Sequence, residues 1–359
     1  MIRLTWLQFR AQALTAAAAL AAFAVLLAAT GPHMASLYAA SGIPGCQGAS
    51  CENLATTYLQ DLKADGDAWV YLISVASILL APAVIGLFWG APLIAHELET
   101  GTSALAWTQS ITRTRWLAVK LTVGGLAAMA VTEGLSLMQA WWAAPIGRAV
   151  GYGGGGVVAD GGTGSIFKMG RFSPLVFATH GITPLGYAAF AFTLGVTVGA
   201  VIGRTVPAMA VALAVFAVIQ IAVPLWIRPH LFPARQTAFP VTSLESTSLT
   251  ISTDNSSNSF VLGALNVPGQ PGAWTLSSTT VNAAGQATSK APAICVTPSV
   301  LNSDAGFAGC LASHGFREEI SYQPASRYWA FQGAETAIYL ALTLALAGYC
   351  FRRLNRRLS

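Results

Sequence analysis

Charge is what this sequence has least of. Only 9% of its 359 residues are Asp, Glu, Lys or Arg, where a soluble domain carries roughly a quarter, so an ordinary soluble globule is excluded. The same shortage excludes disorder, because disordered chains are rich in charge and poor in apolar residues, and here 54% are apolar. The 35 glycines and 17 prolines follow no period, which excludes a fibrous chain. Catalytic patterns are missing as well. No Gly-Lys followed by Ser or Thr occurs, and neither Gly-x-Ser-x-Gly nor His-Glu-x-x-His is present. His33, His96, His180, His230 and His314 are too scattered for a metal site. No catalytic, cofactor-binding or metal-binding set is therefore assigned to this chain, and an integral membrane protein remains.

A bilayer core needs about 20 largely apolar helical residues. Six stretches qualify: 13–31, 69–95, 121–144, 182–203, 206–227 and 329–351. Acids enter two of them, Glu133 in the third and Glu335 in the sixth. Counted from Lys120 and Trp329 at 1.5 Å per residue, both lie about 10 Å below the outer surface. A buried carboxylate is costly, so each needs a partner, a cavity or neutralisation. Gln139, Gln220 and His180 are candidate polar neighbours, and the sequence places no cation beside either acid. Glu133, Gln220 and Glu335 are the candidate substrate-pathway residues.

The loops set the orientation. Arg3, Arg10, Arg113, Arg115, Lys120, Arg204, Arg352, Arg353, Arg356 and Arg357 fall on one side with only Glu97 and Glu99, while the alternate loops hold nine basic and ten acidic residues. Positive charge collects on the cytoplasmic side, so both termini are expected there, in a multi-pass plasma-membrane protein. The basic excess is thus a topology signal and not a nucleic-acid footprint. Residues 1–30 imitate a signal peptide, but the apolar run is longer than a usual signal core. Trp6, Leu7 and Phe9 between Arg3 and Arg10 suit an interfacial helix over 1–12 preceding a retained span.

Of five cysteines, Cys46 and Cys51 fall in the first outer loop and Cys295 and Cys310 in the last. An oxidising compartment would let them pair locally; Cys350 is left over at the inner end of the sixth span. Residues 228–327 form the large extramembrane segment. Alternation at Leu249 to Ser252 and around Trp274 to Ser277, with turn residues at Asp254-Asn255 and Ala284-Gly285-Gln286, predicts a small β-containing ectodomain. The outer connection 146–181, dense in glycine, reads as a mobile loop and not as a phosphate loop, since no Gly-Lys is present. The fold class is therefore an all-α membrane protein with six transmembrane helices and a small β-containing ectodomain between helices 5 and 6. Transmembrane helix 6 is assigned to 328–351 and a basic tail to 352–359.

The loop 96–116 is too apolar for a solvated connector. Ala104, Trp107, Thr108 and Ile111 recur at helical spacing, which shows Trp107 and Ile111 on one face, with Thr112 able to cap the next helix. In this loop Glu97, Gly101, Thr102, Leu105, Thr112, Arg113 and Lys120 follow one another in an order that resembles the type 2 ABC exporter permeases. That family places Glu-x-x-x-Gly-Thr, a short apolar helix, a Ser/Thr-Arg and a downstream Lys between spans two and three. Its six spans, cytoplasmic termini and outer domain between spans five and six are similar too. Gly181 to Tyr187, Gly203-Arg204-Thr205 and Tyr322 to Trp329 look like actinobacterial members. The outer connection between spans three and four, about 35 residues here, departs from the usual short one.

The resemblance implies a permease subunit of an ATP-driven exporter, working as a dimer of permease chains in the lipid bilayer with a separate ABC ATPase subunit that binds ATP and Mg. The loop helix would be the coupling helix docking on that ATPase, through Glu97, Glu99, Gly101, Thr102, Trp107, Ile111 and Arg113. An anionic inner leaflet would repel the two acids, so they suit a protein surface better. The competing class is a non-transporting membrane scaffold or sensor whose ectodomain binds a ligand.

Overall fold

The computed structural model describes residues 2–46, 50–100, 113–152, 170–241, 249–254, 257–262, 267–270, 272–301 and 306–356. Six helical runs in it are long and apolar enough to cross a membrane: Arg10–Ala40, Asp67–Glu99, Thr114–Trp142, Thr183–Ile202, Thr205–His230 and Ala325–Arg353. These are spans 1 to 6. The protein is an all-α membrane protein carrying a small β-containing ectodomain.

Span 1 belongs to α1 (Ile2–Ala40), a single helix that continues through Pro32. Its end lies nine residues beyond the limit of 31 read from the sequence. A proline costs a helix interior about 3 kcal/mol, but packing opposes the break. Met34 is buried, and Leu37 and Tyr38 pack on the same cluster. The partner is α2 (Ser50–Ala64), a helix where the sequence predicts only the first outer loop. Its Ala55, Tyr58, Leu59 and Leu62 are all buried, the i, i+3, i+4, i+7 stripe of an amphipathic helix.

Span 2 is built from α3 (Asp67–Ile85), a π-helical turn (Gly86–Gly90) and α4 (Ala91–Glu99). Span 3 is α5 (Arg113–Trp142), followed by two short helices, α6 (Ala144–Tyr152) and α7 (Pro174–Thr179). Helical turns thus occupy both ends of the connection read as a mobile loop; 153–169 lie outside the described residues. Span 4 is α8 (Thr183–Ile202), span 5 is α9 (Thr205–Ala222) with a π-helical turn and a 3-10 turn to His230, and span 6 lies in α12 (Tyr328–Arg356).

Span 4 is the hub. Buried residues make up 78% of its most apolar window, against 11% to 39% for the other five. Glycine makes the closest approach to it possible. A Cβ on Gly90 of span 2 would stand 2.5 Å from the Phe192 carbonyl oxygen, and one on Gly199 would stand 2.5 Å from that of Ala91. Gly86 and Gly90, and Gly195 and Gly199, each lie four apart, so two small-residue faces meet backbone to backbone.

The ectodomain stands on spans 5 and 6. Strand β1 (Arg235–Pro240) follows span 5, and β5 (Arg317–Gln323) leads into span 6. With β4 (Trp274–Val281) they form an antiparallel sheet of order β1-β5-β4. β2 (Leu249–Asp254) and β3 (Ser257–Leu262) make a separate hairpin. One face of the larger sheet packs Ile320, Tyr322 and Phe239 against Val267. Two further short helices, α10 (Pro298–Leu301) and α11 (Gly306–Ser313), complete the domain. Both expected disulfides are present, Cys46–Cys51 and Cys295–Cys310. Cys295 sits in a core with Phe260, Phe307, Leu311 and Phe316. Trp69, Trp141, Trp226 and Trp329 are each more than 60% exposed, and each lies at the ectodomain end of a span, as an interfacial aromatic belt does.

Candidate functional sites at the two ends of the bundle

At the end opposite the ectodomain, the loop between spans 2 and 3 is anchored at both its roots. Glu97, near the end of α4, accepts a hydrogen bond from the Lys120 ammonium of α5 at 2.5 Å, and the two form an ion pair. Lys120 is buried and lies over the Trp116 ring one turn earlier, 4.4 Å from its centroid. The pair spans 23 residues, so it ties the helices flanking the loop. Glu99 closes a third span. Its Oε2 accepts from the Thr205 backbone N–H at 3.2 Å and from the Thr205 hydroxyl at 2.8 Å. That is a helix cap supplied from another helix, offered to the N-terminus of α9, whose own Arg204 makes no side-chain cap.

Both acids expected to face a partner protein are therefore engaged within the chain. Gly101, Thr102, Trp107 and Ile111 lie outside the described residues, and of Arg113 only the helical backbone is described.

At the ectodomain end, Glu335 corrects an expectation. The sequence placed no cation beside it, yet Arg228 donates to it twice, Nε to Oε2 at 2.7 Å and Nη2 to Oε1 at 3.0 Å, with both side chains fully buried. The sequence reading ended span 5 at 227, one residue short of this arginine. The helix instead continues through a π turn and a 3-10 turn to His230, and Arg228 turns inward beneath the ectodomain. Its guanidinium carbon lies 3.9 Å from the centroid of the Phe177 ring, and the Tyr187 hydroxyl of span 4 donates to Glu335 Oε1 at 2.5 Å.

Gln332, one turn before Glu335, continues the network. Its Oε1 accepts from the backbone N–H groups of Ile182 and Thr183 at 3.1 Å each, satisfying the start of α8, and its Nε2 donates to the carbonyls of Phe177 and His180. Tyr339 packs edge-on against Tyr187, with centroids 4.7 Å apart, and donates to Gln220 at 3.2 Å. Spans 4, 5 and 6 are thus joined through Tyr187, Arg228, Gln332, Glu335 and Tyr339, all buried, with Gln220 half-buried at the edge.

Of the three candidate pathway residues, the structure brings Gln220 and Glu335 into this cluster. Glu133 is separate; its Oε2 is buried without a hydrogen-bond partner. Gln139 turns to Ser74 at 3.5 Å. Arg228, Tyr187 and Gln332 are the members that sequence reasoning missed. In the ectodomain, the sulfurs of Cys295 and Cys310 and a His314 ring nitrogen lie within 4.8 Å of one another. Sulfurs joined in a disulfide are not thiolates, so they offer no metal ligands while bonded.

Six apolar spans around a glycine-packed hub, a loop braced at both roots and an ectodomain fixed to spans 5 and 6 make up a multi-pass membrane protein, which its family identifies as a membrane transporter permease. The chain belongs to the ABC-2 membrane transporter related family, whose model matches residues 17–228. No match to the chain was found among the curated proteins or among the solved structures.

Proposed function

We propose that this permease is the membrane subunit of an ATP-driven exporter. Two copies assemble with two separate ATPase subunits, which bind ATP and Mg, and substrate moves outward across the plasma membrane by alternating access. Both termini are cytoplasmic on this reading, which the distribution of Lys and Arg supports. The observation that carries it is the bracing of the 101–112 loop: Glu97 with Lys120 and Glu99 with Thr205 gather spans 2, 3 and 5 at its base. A force applied to the loop therefore acts on three spans at once, which suits a docking element and would be idle in a helix resting on lipid.

The test replaces Trp107 and Ile111 together with Asp. Each change puts a charge into a desolvated contact, and losing a central aromatic anchor alone costs about 2 kcal/mol or more. Expression and both disulfides should be unchanged, while co-purification with the ATPase and its stimulated hydrolysis should be lost. Normal co-purification and stimulation in the double variant would overturn the docking reading, and ATP hydrolysis by the isolated chain would overturn the division of labour.

A further inference from the structure

We propose that the ectodomain carries a binding groove for amphipathic cations, apolar where it meets the membrane and hydrogen-bonding above it. The inference rests on the exporter reading only in treating that ligand as cargo. Two cavities compose the groove. One, of about 570 Å³, opens where span 5 ends, lined by Pro229, His230, Phe232, Trp274 and Leu276 among others. The second, of about 290 Å³, lies on the sheet and includes Gln236, Ser277, Thr279, Glu319 and Ser321.

The strands set them next to each other. The first cavity ends at Ala234 and Leu276, and the second begins at Gln236 and Ser277, a step of one or two residues, or about 3–7 Å along the strands. Leu276 is the extra residue of a β-bulge, since Thr275 pairs with Tyr322 and Ser277 with Ser321. A bulge re-aims a side chain, and here it adds an apolar group at the joint between the two cavities.

The register puts Gln236, Ala238, Ser277, Thr279, Glu319 and Ser321 on one face. The opposite face is the one closed by Ile320 and Tyr322 on Val267. The open face is therefore a shelf of hydroxyls and one amide, with Glu319 the sole charged residue lining the second cavity. Arg317 lies one step further along the same face, outside the lining. Among the described residues no ion pair holds Glu319. Exposed Trp226 and Trp329 sit at the ends of spans 5 and 6, at the level of the membrane surface. An aliphatic tail leaving the outer leaflet meets Phe232, Trp274 and Leu276 first, and an ammonium head then reaches Glu319.

The test uses the full chain in lipid nanodiscs, without ATPase, titrated with tritiated dodecyltrimethylammonium against empty nanodiscs. Saturable binding above the lipid background is expected. Glu319→Gln should weaken it about threefold to fivefold, the range of an exposed charge pair, and Leu276→Ser about tenfold. Dodecyl sulfate should not compete. Absence of saturable binding, binding unmoved by both variants, or equal competition by dodecyl sulfate would each overturn the proposal. Co-purification with the ATPase separates the two readings. An intact ATPase complex without probe binding sinks the groove alone, and probe binding without any ATPase association sinks the exporter reading and leaves the groove standing.

Discussion

Replacing Arg228 with Met leaves the Glu335 carboxylate in a desolvated position with only the Tyr187 hydroxyl to stabilise it. Removing one partner of a buried ion pair costs about 3–5 kcal/mol, mostly as the penalty on the charge left behind. Lost contact with the Phe177 ring, 3.9 Å away, adds to this by about 0.5–2 kcal/mol. Glu335→Gln strands the guanidinium in the same way and should cost a similar amount. Arg228→Met combined with Glu335→Gln leaves no charge, keeps an acceptor for Tyr187, and should fall within about 2 kcal/mol of the parent protein. The measurement is reversible unfolding in mixed micelles as the denaturing detergent fraction rises, run as a double-mutant cycle. A single loss of about 4 kcal/mol is close to a thousandfold in the folded-to-unfolded ratio, well outside error. Single losses below about 1 kcal/mol, or a double variant that costs the sum of the singles, would show that the two groups do not share one desolvated site.

Three further outcomes follow from other parts of the molecule. Gly90→Val should drive spans 2 and 4 apart and lower stability by about 1–3 kcal/mol or more, whereas Gly333→Ala, where an added Cβ meets nothing within 4 Å, should be neutral or stabilising; equal effects in a thermal melt would refute the close approach. Cys295→Ala with Cys310→Ala removes a link closing 15 residues and should lower ectodomain stability by about 3 kcal/mol, and free thiols at all four outer cysteines in non-reduced peptides of the parent protein would refute the pairing. Burial pushes the Glu318 carboxyl above the ordinary glutamate range, against hydrogen bonds from Thr280 and Ser278. A raised acid contributes stability that is full below its unfolded value and is lost as pH rises through its folded value, so thermal stability of the full chain should fall as pH rises through the mildly acidic range, and Glu318→Gln should remove that part of the slope.

What the sequence disclosed follows from how each signal is encoded. Long apolar runs declare themselves, because a bilayer demands about 20 such residues whatever the neighbours do, and the six spans were legible for that reason. Arg228 was not. A search for cations within apolar runs stops where the run stops, and this one sits immediately after Trp226-Ile227, on a helix that the ectodomain covers. Helix α2 carried a readable stripe in Ala55, Tyr58, Leu59 and Leu62, hidden by the polar residues between them. β5 alternates correctly, but its buried positions begin with Glu318, so a charged residue stands where the pattern calls for an apolar one. β1 is exposed at nearly every position and offers no alternation. Glu97 and Lys120 stood out as members of a motif; that they bond to each other depends on two helices packing side by side, which spacing within one chain segment does not encode.

The ties also bear on where a substrate can pass. Spans 2, 3 and 5 are joined beside the loop by Glu97, Lys120, Glu99 and Thr205, and spans 4, 5 and 6 are joined under the ectodomain by Arg228, Glu335, Tyr187 and Gln332. Between these levels span 2 meets span 4 through backbone atoms at Gly86, Gly90, Gly195 and Gly199, with no flexible side chain to absorb a displacement. A bundle so linked moves more readily as a body than by opening along its own axis, because parting spans 5 and 6 would expose a paired charge to a medium that solvates it poorly. On the exporter reading the moving surface then lies between two copies of the chain. The open apolar faces suit that role: Val206, Val218 and Ile221 on span 5 and Leu14 and Val25 on span 1 are all more than 60% exposed, and each faces either lipid or a second chain.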